Sequence, residues 1–365
     1  MDNKLLKNEE KAIFALRSLY RQYGYLPFKM SKFEEYDLYV QNKDFLVSDR
    51  VITFNDTSGR LLALKPDVTL SIIKNTTDEA GCKQKVYYNE NVYRVSGSTH
   101  QFKEIMQTGL ECIGDLDITD IFEVVSLGAQ SLALISDDFT LDLSHMGIVS
   151  ALLDEATDDE IFKKEAIRCI SNKSAHELIA LCTEYGISEG AQNAIRGLIT
   201  TYGEADAVLE ALGKICVGEK AKNAYNQLKS LCEFLSRTAY KNKIKLDFSV
   251  VNDMNYYNGI VFKGFLNGIP ESVLSGGEYG MLIQKMGRKS NAVGFAIYLD
   301  LLESLGGELS EYDVDVLLLY SEDSAYSAIL KRDMLIAEGK SVSAQRQIPS
   351  KLRYKELIDL TKEGK

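Results

Sequence analysis

From about Ala151 to Tyr240 the chain shows no strand signal, yet strand-like stretches lie on both sides of that block. The block is acidic and alanine-rich, patterned for helices, and punctuated by Gly186, Gly203 and Gly213. Such an interruption reads as a helical insertion in a core whose strands come from both flanks. On the N-terminal side, Ile13, Leu16, Leu19, Tyr20 and Tyr23 recur at three-to-four spacing. They predict an amphipathic helix from about Lys4 to Tyr23, stopped by Gly24. Strands are expected at Val51–Phe54, Leu61–Leu64, Val86–Tyr88, Ile105–Ile113 and Phe139–Leu143, with a turn over Asn55–Gly59. Thr119 is the expected N-cap of a helix carrying Ile121, Phe122, Val125, Ala129 and Leu132.

Past the insertion, strands are expected at Lys245–Val251 and Ile260–Phe265, then a turn at Ser275-Gly276-Gly277. An apolar helix follows from Val293 to Leu305, ending at Gly306-Gly307. The last segment has its own βαβ pattern: strand Val314–Tyr320, helix Ser324–Ala337, Gly339 as stop, and strand Lys340–Ala344. Hairpin-forming strands between long helices favour an α+β antiparallel sheet over a doubly wound one. No P-loop or dinucleotide fingerprint is present. The expected layout is a core at 1–150 and 241–308, a helical insertion at 151–240, and a short α/β tail at 309–365.

Bulk properties restrict function. No run of about 18 apolar residues suggests a membrane span, and the N-terminus lacks an uninterrupted signal-peptide core. A net charge of -11 repels phosphate backbones over most of the surface and argues against a broad tRNA footprint. The six cysteines are scattered without a C-x-x-C pair, which suits free, mostly buried thiols in a cytoplasmic protein and no metal site. His100, His145 and His176 have no partners at triad or ligand spacing, so no catalytic role is assigned to them.

Four clusters could carry chemistry. Lys65-Pro66-Asp67-Val68-Thr69 ends a strand where a helix begins. Asp67 and Thr69 can bind an ammonium group there, or simply cap the helix. Arg94, at a strand end, can bind carboxylate or phosphate in a bidentate way. Gln107, Gly109 and Glu111 share one strand face, as a ligand floor or a solvated sheet face. Tyr256 and Tyr257 offer a ring to the core and a hydroxyl to a pocket, or pack structurally. Gly276 and Gly277 permit close approach to a ligand, or only a tight turn.

Taken in order, Lys65-Pro-Asp-Val-Thr69, Val92-Tyr-Arg94, Gln107-x-Gly-x-Glu111, Asn255-Tyr-Tyr-Asn-Gly259, Gly276-Gly-Glu-Tyr279 and Ala292-Val-Gly-Phe-Ala-Ile297 form one series. That series resembles the catalytic core of histidyl-tRNA synthetase, a class II aminoacyl-tRNA synthetase, over roughly residues 1–305. The resemblance implies that fold and a histidine pocket. In it Asp67 and Thr69 would hold the amino group, with Gln107 and Glu111 at further pocket positions. Tyr256 and Tyr257 would flank the imidazole, Arg94 would meet carboxylate or α-phosphate, and Gly276 and Gly277 would belong to the ligand site.

The catalytic positions of that pattern differ. Ser96 stands where motif 2 has glutamate, and Asn252 where the family has arginine. Leu301 stands where motif 3 has its ATP-binding arginine, and Ser31 at the motif 1 proline. Transfer of a nucleotidyl group needs cations to offset phosphate charge, so their loss implies no aminoacylation. This profile resembles the ATP phosphoribosyltransferase regulatory subunit family. The resemblance implies a non-catalytic protein, without cofactor, that partners a short-form catalytic subunit and self-associates as a dimer. Histidine would be the feedback effector, and no tRNA or membrane partner is expected. The alternative is a divergent histidyl-tRNA synthetase or other amino-acid-activating enzyme.

Overall fold

A computed structural model describes residues 7–42, 51–95, 99–251, 256–305 and 311–361 of the chain. It divides into two compact units, Met1–Leu305 and Gly306–Lys365, each described by itself.

The first unit opens with α1 (Asn8–Gln22), which buries Ala12, Leu16 and Tyr20 and ends at Gly24 with φ +83°. Next come β1 (Leu26–Pro27), β2 (Phe33–Glu35), α2 (Tyr36–Gln41), β3 (Thr53–Asn55), β4 (Leu61–Leu64) and α3 (Thr69–Lys74). The two longest strands follow, β5 (Lys83–Val95) and β6 (Phe102–Gly114), paired antiparallel from Lys83↔Gly114 to Val95↔Phe102. Both extend beyond the apolar segments that announced them, because their outer ends carry polar side chains.

Helix α4 (Ile118–Ile135) is capped by Asp117, whose Oδ1 accepts from the Thr119 amide at 2.7 Å. This corrects the expected Thr119 cap: the carboxylate two residues earlier reaches the free N–H groups, and Thr119 lies within the first turn. By length and composition α4 is apolar enough to cross a membrane, but half of it is buried within the protein, against α1 and the sheet.

Strand β7 (Phe139–His145) leads into α5 (Met146–Ala156), α6 (Glu160–Ser171), α7 (Ala175–Glu184) and α8 (Glu189–Thr200). Then come β8 (Tyr202–Gly203), α9 (Ala205–Ile215) and α10 (Glu219–Leu235). The two-residue β8 breaks the otherwise helical block by pairing with β9 (Ile244–Asp247), a contact too short to leave a period-two pattern. β9 stops at Asp247, where the carboxylate accepts from the Ser249 amide at 2.9 Å, so the strand expected to Val251 is shorter.

The remaining strands are β10 (Ile260–Leu266), β11 (Leu274–Glu278) and β12 (Asn291–Tyr298), with α11 (Gly280–Lys285) before β12. Two expectations fail here. Ser275-Gly276-Gly277 is the middle of β11 rather than a turn, and Val293–Leu305 is the end of β12 followed by a 3-10 segment rather than a helix. β12 is covered on both faces, and a continuous apolar run of that kind carries no periodicity to separate strand from helix.

The sheet has nine strands, in the order β1-β5-β6-β12-β11-β10-β7-β9-β8, antiparallel except at β1–β5 and β7–β9. A mixed helix and sheet architecture of α+β class results. One face packs against α1, α4, α5 and α10 around Leu16, Val124, Leu143, Phe262 and Phe295. The other carries α2, α3, α11 and the small sheet β2-β4-β3, around Tyr39, Leu70, Ile73, Tyr88 and Ile283.

The second unit has β13 (Val314–Leu319), α12 (Ala325–Ala337), β14 (Val342–Gln345) and β15 (Tyr354–Asp359). Its parallel sheet, β14-β13-β15, includes a third strand that the half-exposed Tyr354–Asp359 segment did not advertise. No disulfide forms among the cysteines: Cys82 is exposed and the other five are buried.

Candidate functional site

Residues of β6 alternate across the sheet. Leu110 and Cys112 enter the core beneath α4, so Gln107, Gly109, Glu111 and Ile113 face the α3 side. Pairing extends this face to Gly294 and Tyr298 of β12, opposite Glu111 and Gln107, and to Tyr88 of β5, opposite Gly109. Helix α3 lies over it because Leu70, Ile72 and Ile73 are apolar and fully covered. Arg288 holds the far end of α3, donating through Nη1 to the carbonyls of Ile73 at 3.0 Å and Thr76 at 3.2 Å.

Glu111 is the centre of the arrangement. Thr69 Oγ1 donates to its Oε1 at 3.1 Å, and the Tyr279 hydroxyl donates to its Oε2 at 2.6 Å. Burial pushes the Glu111 carboxyl up to about 8, which outweighs both hydrogen bonds. Asp67 is also buried and raised by desolvation, against the opposing pull of the Arg94 charge. Its Oδ1 accepts from the Leu70 amide at 3.1 Å, so the capping role and the site position coincide. Arg94 is half-buried; its Nε donates to the Pro66 carbonyl at 3.0 Å, and its guanidinium meets the Tyr298 hydroxyl.

An aromatic wall closes the other side. The Tyr256 and Tyr257 rings lie 4.5 Å apart between centroids, and Tyr256 is 6.0 Å from Tyr279. Tyr256 also shares a hydrogen bond with Thr69. Gly277 lies beneath this wall: a Cβ there would stand 2.7 Å from the Tyr257 ring. Gly276 points the other way, towards Phe262, so of the two glycines only Gly277 borders the site.

The structure therefore brings Asp67, Thr69, Arg94, Gln107, Glu111, Tyr256, Tyr257 and Gly277 to one face. Tyr88, Tyr279 and Tyr298 were not anticipated. Tyr279 sits two residues after Gly277 on the same side of β11, a signal hidden while Ser275–Gly277 passed for a turn. Of the positions expected to have lost catalytic charge, Ser96 and Asn252 lie outside the described residues. Leu301 packs against the helix-covered core. The site offers two buried carboxylates, one guanidinium and a ring of tyrosine hydroxyls, which suits a small zwitterion carrying an additional nitrogen function.

The histidyl-tRNA synthetase family model matches residues 2–302. The chain is 27% identical over 352 residues to the ATP phosphoribosyltransferase regulatory subunit of Oceanobacillus iheyensis, covering 94% of this chain and 86% of that one. It is 28% identical over 335 residues to that of Clostridium kluyveri, covering 89% and 85% respectively. A solved structure from Bacillus halodurans, described as an ATP phosphoribosyltransferase regulatory subunit/histidyl-tRNA synthetase, is similar with a TM-score of 0.75. That pair is 25% identical and covers 98% of this chain and 96% of the other.

Proposed function

The chain belongs to the histidyl-tRNA synthetase family, and on that footing we propose that it is the regulatory subunit of an ATP phosphoribosyltransferase. The partner, a short-form catalytic subunit, would join ATP to phosphoribosyl pyrophosphate at the entry to histidine biosynthesis. The chain itself supplies no catalytic residue; it activates the partner and makes it sensitive to histidine. The relatives' shared description supports this assignment. The observation that carries it is a buried polar face around Glu111, held by Thr69 and Tyr279, with the partly buried Leu301 packed against the core.

Histidine supplies what the site lacks. Its ammonium and imidazole nitrogens would meet Asp67, Thr69 and Glu111 beside Tyr256 and Tyr257, with Gln107 next to them. Its carboxylate would meet Arg94. A carboxyl raised to about 8 is largely protonated at neutral pH, and an N–H cation entering beside it favours the anion. Binding thus exchanges a proton for a ligand cation. Regulation requires that histidine bind the inhibited and active assemblies with different affinity.

The same reading takes aminoacylation as lost and tRNA as no partner, with two copies of the chain pairing within a cytoplasmic hetero-oligomer. It treats 1–150 and 241–308 as the core, 151–240 as a helical insertion in that core, and 309–365 as a short α/β tail. Mixing the chain with a short-form ATP phosphoribosyltransferase tests it. Phosphoribosyl-ATP formation should rise, and added histidine should suppress it. No complex and no change in rate would exclude the proposal.

A further inference from the structure

The opposite face of β11 carries a second polar assembly that the histidine site does not use. Glu278, next to Tyr279, points towards the helix-covered side and is half-buried there. Gln227 of α10 donates through Nε2 to both carboxylate oxygens, at 3.1 and 3.2 Å, and the Ile260 amide donates at 3.4 Å. The amide orientation of Gln227 is set from behind. The Gly147 amide donates to His145 Nδ1 at 3.0 Å, so the proton of the neutral ring sits on Nε2. That nitrogen, 3.1 Å from Gln227 Oε1, donates to it and turns the Gln227 amino group towards Glu278. The relay is directional and ends on a carboxylate. Among the described residues, no cation pairs with that carboxylate.

Beside it is a cavity of about 220 Å³, with Asn258 and Asn291 exposed at its mouth and Leu116 and Ile121 along its wall. Gly280 brings the backbone close enough that a Cβ would stand 2.7 Å from Asn291 Oδ1. A carboxyl group at the end of a fixed donor chain, facing a cavity with an amide rim and an apolar wall, has a defined complement. We propose that this cavity binds a small organic cation, a primary ammonium or guanidinium head on a short apolar body, with Glu278 as its anchor. Ammonium hydrogens are shared between Glu278 and the Asn258 and Asn291 amide oxygens, while the body lies against Leu116 and Ile121. Because Gln227 belongs to α10, such a ligand would touch the helical insertion and the sheet together.

Titration calorimetry with 3-methylbutylamine, and with 3-methylbutan-1-ol as its uncharged twin, tests this on the full chain. The amine should bind saturably and the alcohol about ten-fold more weakly or worse, the value of a hydrogen bond to a charged group. Glu278→Gln, which keeps the side-chain shape, should lose a similar factor. Glu111→Gln, on the other face, should retain the amine. Absence of saturable binding, equal binding of the alcohol, or loss in Glu111→Gln with retention in Glu278→Gln would overturn the proposal. Should Glu278→Gln fail to fold, Asn291→Ala at the exposed mouth decides: weaker amine binding supports the site, and unchanged binding removes it.

Discussion

Gly294 lies directly across the ladder from Glu111, and the Glu111 carboxylate occupies the space that a Cβ on Gly294 would need. The glycine is therefore required both by the carboxylate's position and by the close approach of β6, whose Leu110 carbonyl would stand 2.5 Å from that Cβ. Gly294→Ala should displace Glu111 from Thr69 and Tyr279 and destabilise the protein by about 1–3 kcal/mol, as overpacking does. Denaturant unfolding measures this loss. Gly190→Ala, at an exposed helical position with nothing near its Cβ, should instead be neutral or stabilising by about 0.5 kcal/mol. Equal stability of the two variants would mean that the ladder relaxes freely around Glu111.

Removing the charge at position 111 while keeping its shape separates ligand binding from folding. Glu111→Gln should weaken histidine by about ten- to a hundred-fold, the value of one or two charge-assisted hydrogen bonds. Calorimetry on the free chain reads this directly. In the complex, phosphoribosyl-ATP formation should persist and lose its sensitivity to histidine. A variant that stays fully sensitive would place the effector elsewhere.

The buried carboxyls set a pH dependence of stability with a definite sign. Glu111 titrates near 8 when folded and, in the unfolded chain, near the ordinary glutamate value of about 4.3. Between those values the folded state holds more protons, so stability is fully present below the lower value and is lost as pH rises to about 8. The slope reaches about 1.4 kcal/mol per pH unit for each proton of difference. Glu278, raised to about 7, and Asp142, raised to about 6, act in the same direction. His145, lowered to about 4 by burial, acts oppositely between there and about 6.5. Melting temperatures from pH 5.5 to 8.5 should fall less steeply for Glu111→Gln than for the unaltered chain; parallel curves would refute the shift.

Histidine should also release protons when it binds near pH 7, because its cationic nitrogen favours ionised Glu111. Calorimetric enthalpies in buffers of different ionisation heat should differ in proportion to that release. Glu111→Gln should abolish the difference.

Histidine-dependent exchange between ATP and pyrophosphate should stay at background. Leu301 packs against an apolar core, and a neutral side chain cannot offset charge on a transferring phosphate. Leu301→Arg alone should not restore exchange. Robust exchange by the unaltered chain would favour a divergent synthetase over a regulatory subunit.

Several features were legible in the residues before any fold was known. Period two in Gln107-x-Gly109-x-Glu111 placed those side chains on one face, and Gly24 and Gly339 marked helix ends that the structure places there at positive φ. The α+β class followed from hairpin-forming strands between long helices. Glycine-rich and fully apolar stretches misled: Ser275–Gly277 and Val293–Tyr298 are central strands buried from both sides. Local pattern reports which side of a segment meets water, and these segments are mostly buried on both sides.

By itself the sequence named the residues that the fold gathers on one face: Asp67, Thr69, Arg94, Gln107, Glu111 and the tyrosine pair. Only the tertiary structure decided that Tyr279 completes the shell around Glu111, that Gly276 belongs to the other face, and that Glu278 ends a relay running through His145 and Gln227. Those relations join residues far apart in the chain, from Thr69 to Glu111 and from His145 to Glu278. They exist because strand pairing sets which side chains share a face, and desolvation on that face sets their charge.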